Sequence, residues 1–100
     1  MKFLRDWEFE LKKYKVEFSP EGEKAFEKLD NSVATKIKNW LNKNLEGCEN
    51  PRYKGRSLTG NLAGYWRYRI GDYRVIANIQ DDKIVILVVD VDKRIDIYKS

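Results

Sequence analysis

The side chains in this sequence best suited to chemistry are arginines. Across residues 52–74 stand Arg52, Lys54, Arg56, Arg67, Arg69 and Arg74, opposed only by Asp72. A guanidinium presents several N–H donors in a planar fork that matches a phosphate, and it keeps its charge at any working pH. In the run Tyr65-Trp-Arg-Tyr-Arg-Ile70, strand alternation puts Trp66, Tyr68 and Ile70 on one face and Tyr65, Arg67 and Arg69 on the other. Adjacent like charges repel, so a strand that needed only a wettable outer face would not need this pair. Arg74 follows a short turn and can approach the same ground. Arg94, with Lys93 beside it and Tyr98 close behind, can join from the other side of the next strand. Such a cluster can grip phosphates, while Tyr65, Tyr73 and Tyr98 can offer faces to unstacked bases. Any one of these arginines, taken singly, more often does no more than face water. Tyr65 and Tyr73 equally suit ordinary amphipathic packing. The reading rests on four arginines converging with an aromatic hydroxyl.

Other chemistries are removed by composition. The 100 residues include no histidine, which excludes imidazole acid–base schemes and histidine metal sites. There is no Walker-type run and no GxGxxG. The lone Cys48 cannot form an internal disulfide and reads as an ordinary loop thiol. Asp81 and Asp82 fall in a turn, where a structural role is expected. An enzyme built from this chain would work on a polyanion with no metal and no cofactor.

Charge distribution agrees. The net charge is +4. Residues 1–50 carry ten basic and ten acidic side chains, so residues 51–100, with ten against six, account for the whole excess. That footprint suits a nucleic acid, or a surface that docks an acidic protein. No run approaches the roughly 18 consecutive apolar residues of a membrane span. The first ten residues mix charged and apolar side chains and lack a signal peptide's apolar centre, so a cytoplasmic protein is expected, with no membrane partner.

The elements that must position these residues follow from periodicity. Residues 1–13 are charged and read as an N-terminal extension, leaving one domain over 14–100. Residues 14–18 alternate as a strand. Ser19-Pro20-Glu21 starts a helix, with Ser19 as cap and Pro20 in the first turn, and places Ala25, Phe26 and Leu29 on one face. Asp30-Asn31-Ser32 breaks it and opens a second helix whose stripe is Val33, Ile37, Trp40, Leu41 and Leu45. Glu46-Gly47 ends that helix, and Asn50-Pro51 begins a loop. Residues 65–70, 73–80 and 83–89 read as strands joined by the short turns Gly71-Asp72 and Asp81-Asp82. The apolar run 84–89 belongs inside the sheet. The aromatics Phe18, Phe26, Trp40 and Trp66 read as core. The result is an α+β fold, β-α-α-β-β-β, with an antiparallel β-sheet packed on one side by an N-terminal helical hairpin.

Leu58-Thr-Gly60, then the stretch from Tyr65 to Ile76 with its Gly-Asp-Tyr-Arg turn, the apolar strand 84–91 and the closing Lys93-Arg94…Tyr98 resemble the RelE branch of the RelE/ParE toxin superfamily. The segment 14–30, with its Ser-Pro start and Ala-Phe-Glu-Lys-Leu helix, resembles it too. The resemblance spans about residues 14–99. It implies the toxin of a type II toxin–antitoxin system, a ribosome-dependent endoribonuclease that cleaves mRNA in the ribosomal A site and so inhibits translation. The substrate's own 2′-hydroxyl would be the nucleophile, leaving a cyclic phosphate and a 5′-hydroxyl. By position, Arg67 and Arg69 match the family's basic pair, Arg74 the arginine after the turn, Arg94 the C-terminal arginine, and Tyr98 the terminal tyrosine. Arg74 and Arg94 are then assigned to the transition-state phosphate, and Tyr98 to orienting the base and sharing in proton transfer. Arg52, Lys54, Arg56, Tyr65 and Lys93 are assigned to RNA binding. Some relatives carry lysines where this chain has Arg67 and Arg69. Arginine keeps its proton, so the general base is left to Tyr98 or to the ribosome. The resemblance also implies a cognate antitoxin that covers the basic surface, and operator DNA reached only through that complex. Two alternatives share the features: a ParE-like gyrase-inhibiting toxin without nuclease activity, and a non-enzymatic RNA-binding domain.

Overall fold

The computed structural model describes residues 13–93. Residues 1–12, which hold nearly all of the expected extension, and residues 94–100, which hold Arg94 and Tyr98, lie outside the described residues. The order is β1 (Lys15–Phe18), α1 (Pro20–Glu27), α2 (Asn31–Asn44), β2 (Arg56–Ser57), a 3-10 turn (Gly60–Leu62), β3 (Trp66–Ile70), β4 (Tyr73–Gln80) and β5 (Val85–Lys93). The five strands form one sheet in the order β1-β5-β4-β3-β2. The expected antiparallel meander is β3-β4-β5, and β2 extends it antiparallel on one side. The early strand β1 joins β5 in parallel, with Lys15 beside Val85 and Phe18 beside Val88, so the sheet is mixed. A parallel pair needs a crossover connection, and here it runs through both helices and the strands β2, β3 and β4.

Local sequence explains the helices. The Ser19 hydroxyl accepts from the Gly22 N–H at 3.0 Å, and Pro20 occupies the first turn. Gly22 is required for packing: a Cβ there would stand 2.2 Å from the Val88 carbonyl oxygen. Asp30 precedes α2 without a side-chain capping bond. Its end is tighter, because Gly47 takes φ +82° and the Glu46 N–H returns to the Leu41 carbonyl. The stripe Ile37, Leu41 and Leu45 is buried against Tyr68, Ile70, Val75, Ile86 and Val88, with Phe26 and Val91 completing the core. Trp40, Trp66 and Phe18 pack against it as expected.

Two strand limits differ from the alternation reading. The turn after β4 takes in residues 81–84, and Ile84 sits at φ +57°, a left-handed conformation costly for a β-branched residue. Its carbonyl accepts from the Lys15 N–H at 3.1 Å, which ties the turn to β1. At the other end β5 runs on through Asp90 and Asp92 to Lys93. A bulge at Ile76/Ala77 shifts the register there, so Val91 still enters the core while Asp92 lies beside Arg74. Single-strand hydropathy ends at Val89 because it cannot anticipate a bulge set by the neighbouring strand.

Candidate nucleic-acid interface

The two faces of β3 separate as its alternation requires. Tyr68 and Ile70 are buried under the helices, whereas Arg69 is exposed and Arg67 half-buried on the opposite face. Register builds the cluster from there. Arg56 lies beside Arg67 across β2–β3, and Arg74 lies beside Arg69 across β3–β4. Arg56, Arg67 and Arg69 line an open cleft of about 640 Å³, with Tyr53, Lys54 and Gly55 forming the rest of its wall. Gly55 is fixed by close approach: a Cβ there would come within 2.5 Å of the Arg67 carbonyl oxygen and 2.6 Å of the Trp66 ring. Arg74 holds Asp92 in a two-pronged ion pair, Nε and Nη2 each 3.1 Å from a carboxylate oxygen. That geometry fixes the plane of its guanidinium next to Arg69.

Other expected contacts sit elsewhere. Arg52 grips Asp81 through both terminal nitrogens, at 3.1 and 2.9 Å, and its guanidinium lies 5.8 Å over the Trp66 ring. Trp66 packs on the core, so Arg52 stands behind the sheet relative to Arg67. The Asp81 carboxylate also accepts the Tyr14 hydroxyl at 2.7 Å. Arg52 and Tyr14 together hold Asp81 below the usual carboxylate range. Lys54 remains at the cleft, although its ammonium donates to Asn44 Oδ1 at 2.7 Å. The Tyr65 backbone closes the 3-10 segment, its N–H bonding Leu62 and its carbonyl accepting from Leu58, and the residue does not line the cleft. Lys93 pairs with Tyr73 and lines a separate hollow with Lys36, Asp72 and Ile70. Burial pushes the Cys48 thiol up, which suits an unreactive loop thiol.

Composition gave no reason to single out Tyr53. It is 79% exposed at the cleft rim, in a turn with no hydrophobic period to mark it. Its only sequence signal is its place beside Lys54 and Arg56.

The cleft is a basic, concave, solvent-open face on an α+β domain, with a charge complementary to a polyanion. The profile of the ParE toxin of type II toxin–antitoxin systems, parDE, matches residues 16–98. The chain belongs to that toxin family, within the RelE/ParE superfamily. Among solved structures it is similar to the RelBE2 toxin–antitoxin complex of Mycobacterium tuberculosis, at 26% identity over 84% of this chain and 94% of that one, with a TM-score of 0.74. The isolated Escherichia coli RelE toxin is 27% identical over 86% of this chain and 92% of its own, TM-score 0.65. The archaeal RelE–RelB complex of Pyrococcus horikoshii OT3 gives 28%, 82%, 96% and 0.61. No curated protein sequence matches. The chain is thus a toxin of a type II toxin–antitoxin system, with solved RelE structures among those it is similar to. Among the described residues, no helix is long and apolar enough to cross a membrane.

Proposed function

We propose that this toxin is a ribosome-dependent endoribonuclease that cuts mRNA in the A site and thereby stops translation. The observation that carries the reading is the cleft in which Arg56, Arg67 and Arg69 stand together, with Arg74 beside Arg69. Such a surface can neutralise a phosphate backbone and stabilise charge that grows on a phosphoryl group. In the proposed reaction the ribose 2′-oxygen attacks the adjacent phosphorus as its proton leaves. The bond to the 5′-oxygen breaks, and that oxygen gains a proton, giving a cyclic phosphate and a 5′-hydroxyl. Arg67, Arg69 and Arg74 bind and orient the phosphate. Arg94 and Tyr98, outside the described residues, are assigned the phosphate and the base. A guanidinium is not a general base, so that role is assigned to Tyr98 or to a group of the ribosome.

The proposed partners are the ribosome with its mRNA, and a cognate antitoxin, as the toxin–antitoxin complexes of the similar structures suggest. Operator DNA would be reached through that antitoxin. The cytoplasm is the proposed location. The cleft offers the antitoxin a basic surface to cover. A co-structure in which Arg67, Arg69 and Arg94 all stay open while toxicity is neutralised would refute simple occlusion.

A second reading draws on the ParE match: inhibition of DNA gyrase by binding, with no cleavage. Tyr98→Phe separates the two. It is expected to reduce mRNA cleavage and to leave any inhibition of supercoiling unchanged.

A further inference from the structure

Tyr53 is the most exposed large hydrophobic side chain among the described residues, and it stands on the wall of the basic cleft. Looseness of the chain does not account for that exposure. Asn50 opens the turn: its side-chain oxygen accepts from the Arg52 N–H at 3.1 Å, and its carbonyl from the Tyr53 N–H at 3.3 Å. With Pro51 in the second position this is a turn the sequence favours strongly. Two anchors then hold the turn from behind the sheet. The buried Tyr68 hydroxyl donates to the Pro51 carbonyl, and Arg52 is clamped between Asp81 and the Trp66 ring. Both aromatics lie on β3, on the face opposite Arg67 and Arg69. The same strand therefore presents cations forward and fixes the aromatic loop from the rear. Gly55, pressed on Trp66 and Arg67, completes the attachment.

We propose that Tyr53 is a stacking platform for an unpaired base of single-stranded RNA whose phosphates run along Arg56, Arg67 and Arg69. This deepens the nuclease reading and rests on it. An aromatic face beside a row of cations is the arrangement that single strands use, bases on the ring and backbone on the charges. A protein anchor would seat its aromatic in an apolar pocket, whereas the residues around Tyr53 in the cleft are Lys54, Gly55 and three arginines. Holding the turn in place before binding removes an ordering cost that a free loop would meet on contact.

The test compares binding of the full-length toxin to an unstructured oligoribonucleotide and to inorganic polyphosphate, which has charge and no bases. Tyr53→Ala is expected to weaken RNA binding by on the order of tenfold and to leave polyphosphate binding unchanged. Tyr53→Phe should bind RNA as the wild type does, because stacking needs the ring and not the hydroxyl. Equal RNA affinity of Tyr53→Ala and wild type overturns the platform, and so does a parallel loss on both probes. If that same variant instead loses affinity for the antitoxin alone, Tyr53 is a protein contact. A wild type that binds no RNA at all brings down the nucleic-acid reading along with the platform, whereas unchanged RNA binding by Tyr53→Ala brings down the platform only.

Discussion

Arg69 is exposed on β3 with Arg74 across from it, and Arg67 stands two residues back beside Arg56. Removing a guanidinium that meets the reacting phosphate should cost one to three orders of magnitude in rate. Single-turnover cleavage by Arg69→Ala should fall by about that much, and Arg69→Lys should recover only part, because an ammonium lacks the planar fork. A rate equal to wild type would remove Arg69 from the site. Alternation along residues 65–70 was enough to place Arg67 and Arg69, since strand geometry leaves no other arrangement. The same reasoning could not place Arg52. Its partner Asp81 lies 29 residues away, in a turn whose approach depends on the sheet order. A pH dependence belongs to this pair. Because the folded state holds Asp81 below its ordinary value, its contribution is present above that value and is lost as pH falls through the lowered one. Wild-type stability should therefore decline on acidification in that window, below about pH 4. Asp81→Asn should flatten that part of the profile, as read by thermal melts across pH. An unchanged profile would mean that the clamp is electrostatically idle.

At the scale of elements, β3 does two jobs, and its rear face is the one most exposed to mutation. The Tyr68 ring is fully buried and its hydroxyl reaches the Pro51 carbonyl. Desolvation raises its pKa above the ordinary tyrosine value, so it stays a donor. Tyr68→Phe leaves that buried carbonyl without its partner, a loss of about 1–3 kcal/mol. For a domain near 100 residues this lowers Tm by roughly 4–8 °C per kcal/mol. Gly55→Ala should act differently: its methyl would press on the Arg67 carbonyl and Trp66, moving the loop away from β3. We expect it to weaken RNA binding as well as to destabilise by about 1–3 kcal/mol. Unaltered binding and Tm in Gly55→Ala would show that the loop has room to spare. Helix starts and stripes were readable from Ser19, Pro20 and the Val33–Leu45 spacing. The two-residue strand β2 and the parallel placement of β1 were not, because both are set by partners distant in sequence.

For the whole molecule, the fold divides labour between two sheet faces, with helices and core behind and the cleft arginines Arg56, Arg67 and Arg69 in front. The net +4 arises in residues 51–100, which also supply the cations of the cleft. RNA affinity should then fall with salt on a log–log slope of about −0.7 per phosphate neutralised. Four cleft cations predict a slope near −3, and Arg56→Ala should make it shallower by close to one contact. A slope near zero would mean that the cleft does not bind a phosphate backbone. The class of fold and the basic face could be read from the sequence. Which cations share the cleft could not, because that depends on register.

Ribosome-dependent nuclease activity is tested most directly by cleavage of messenger RNA by the purified toxin, with ribosomes present and the A site empty, or with ribosomes absent. Cuts are expected within the A-site codon only when ribosomes are present, with 5′-hydroxyl and cyclic phosphate ends. No cleavage in either condition, together with inhibition of gyrase supercoiling by the same preparation, would contradict the nuclease reading and establish the ParE-like activity instead.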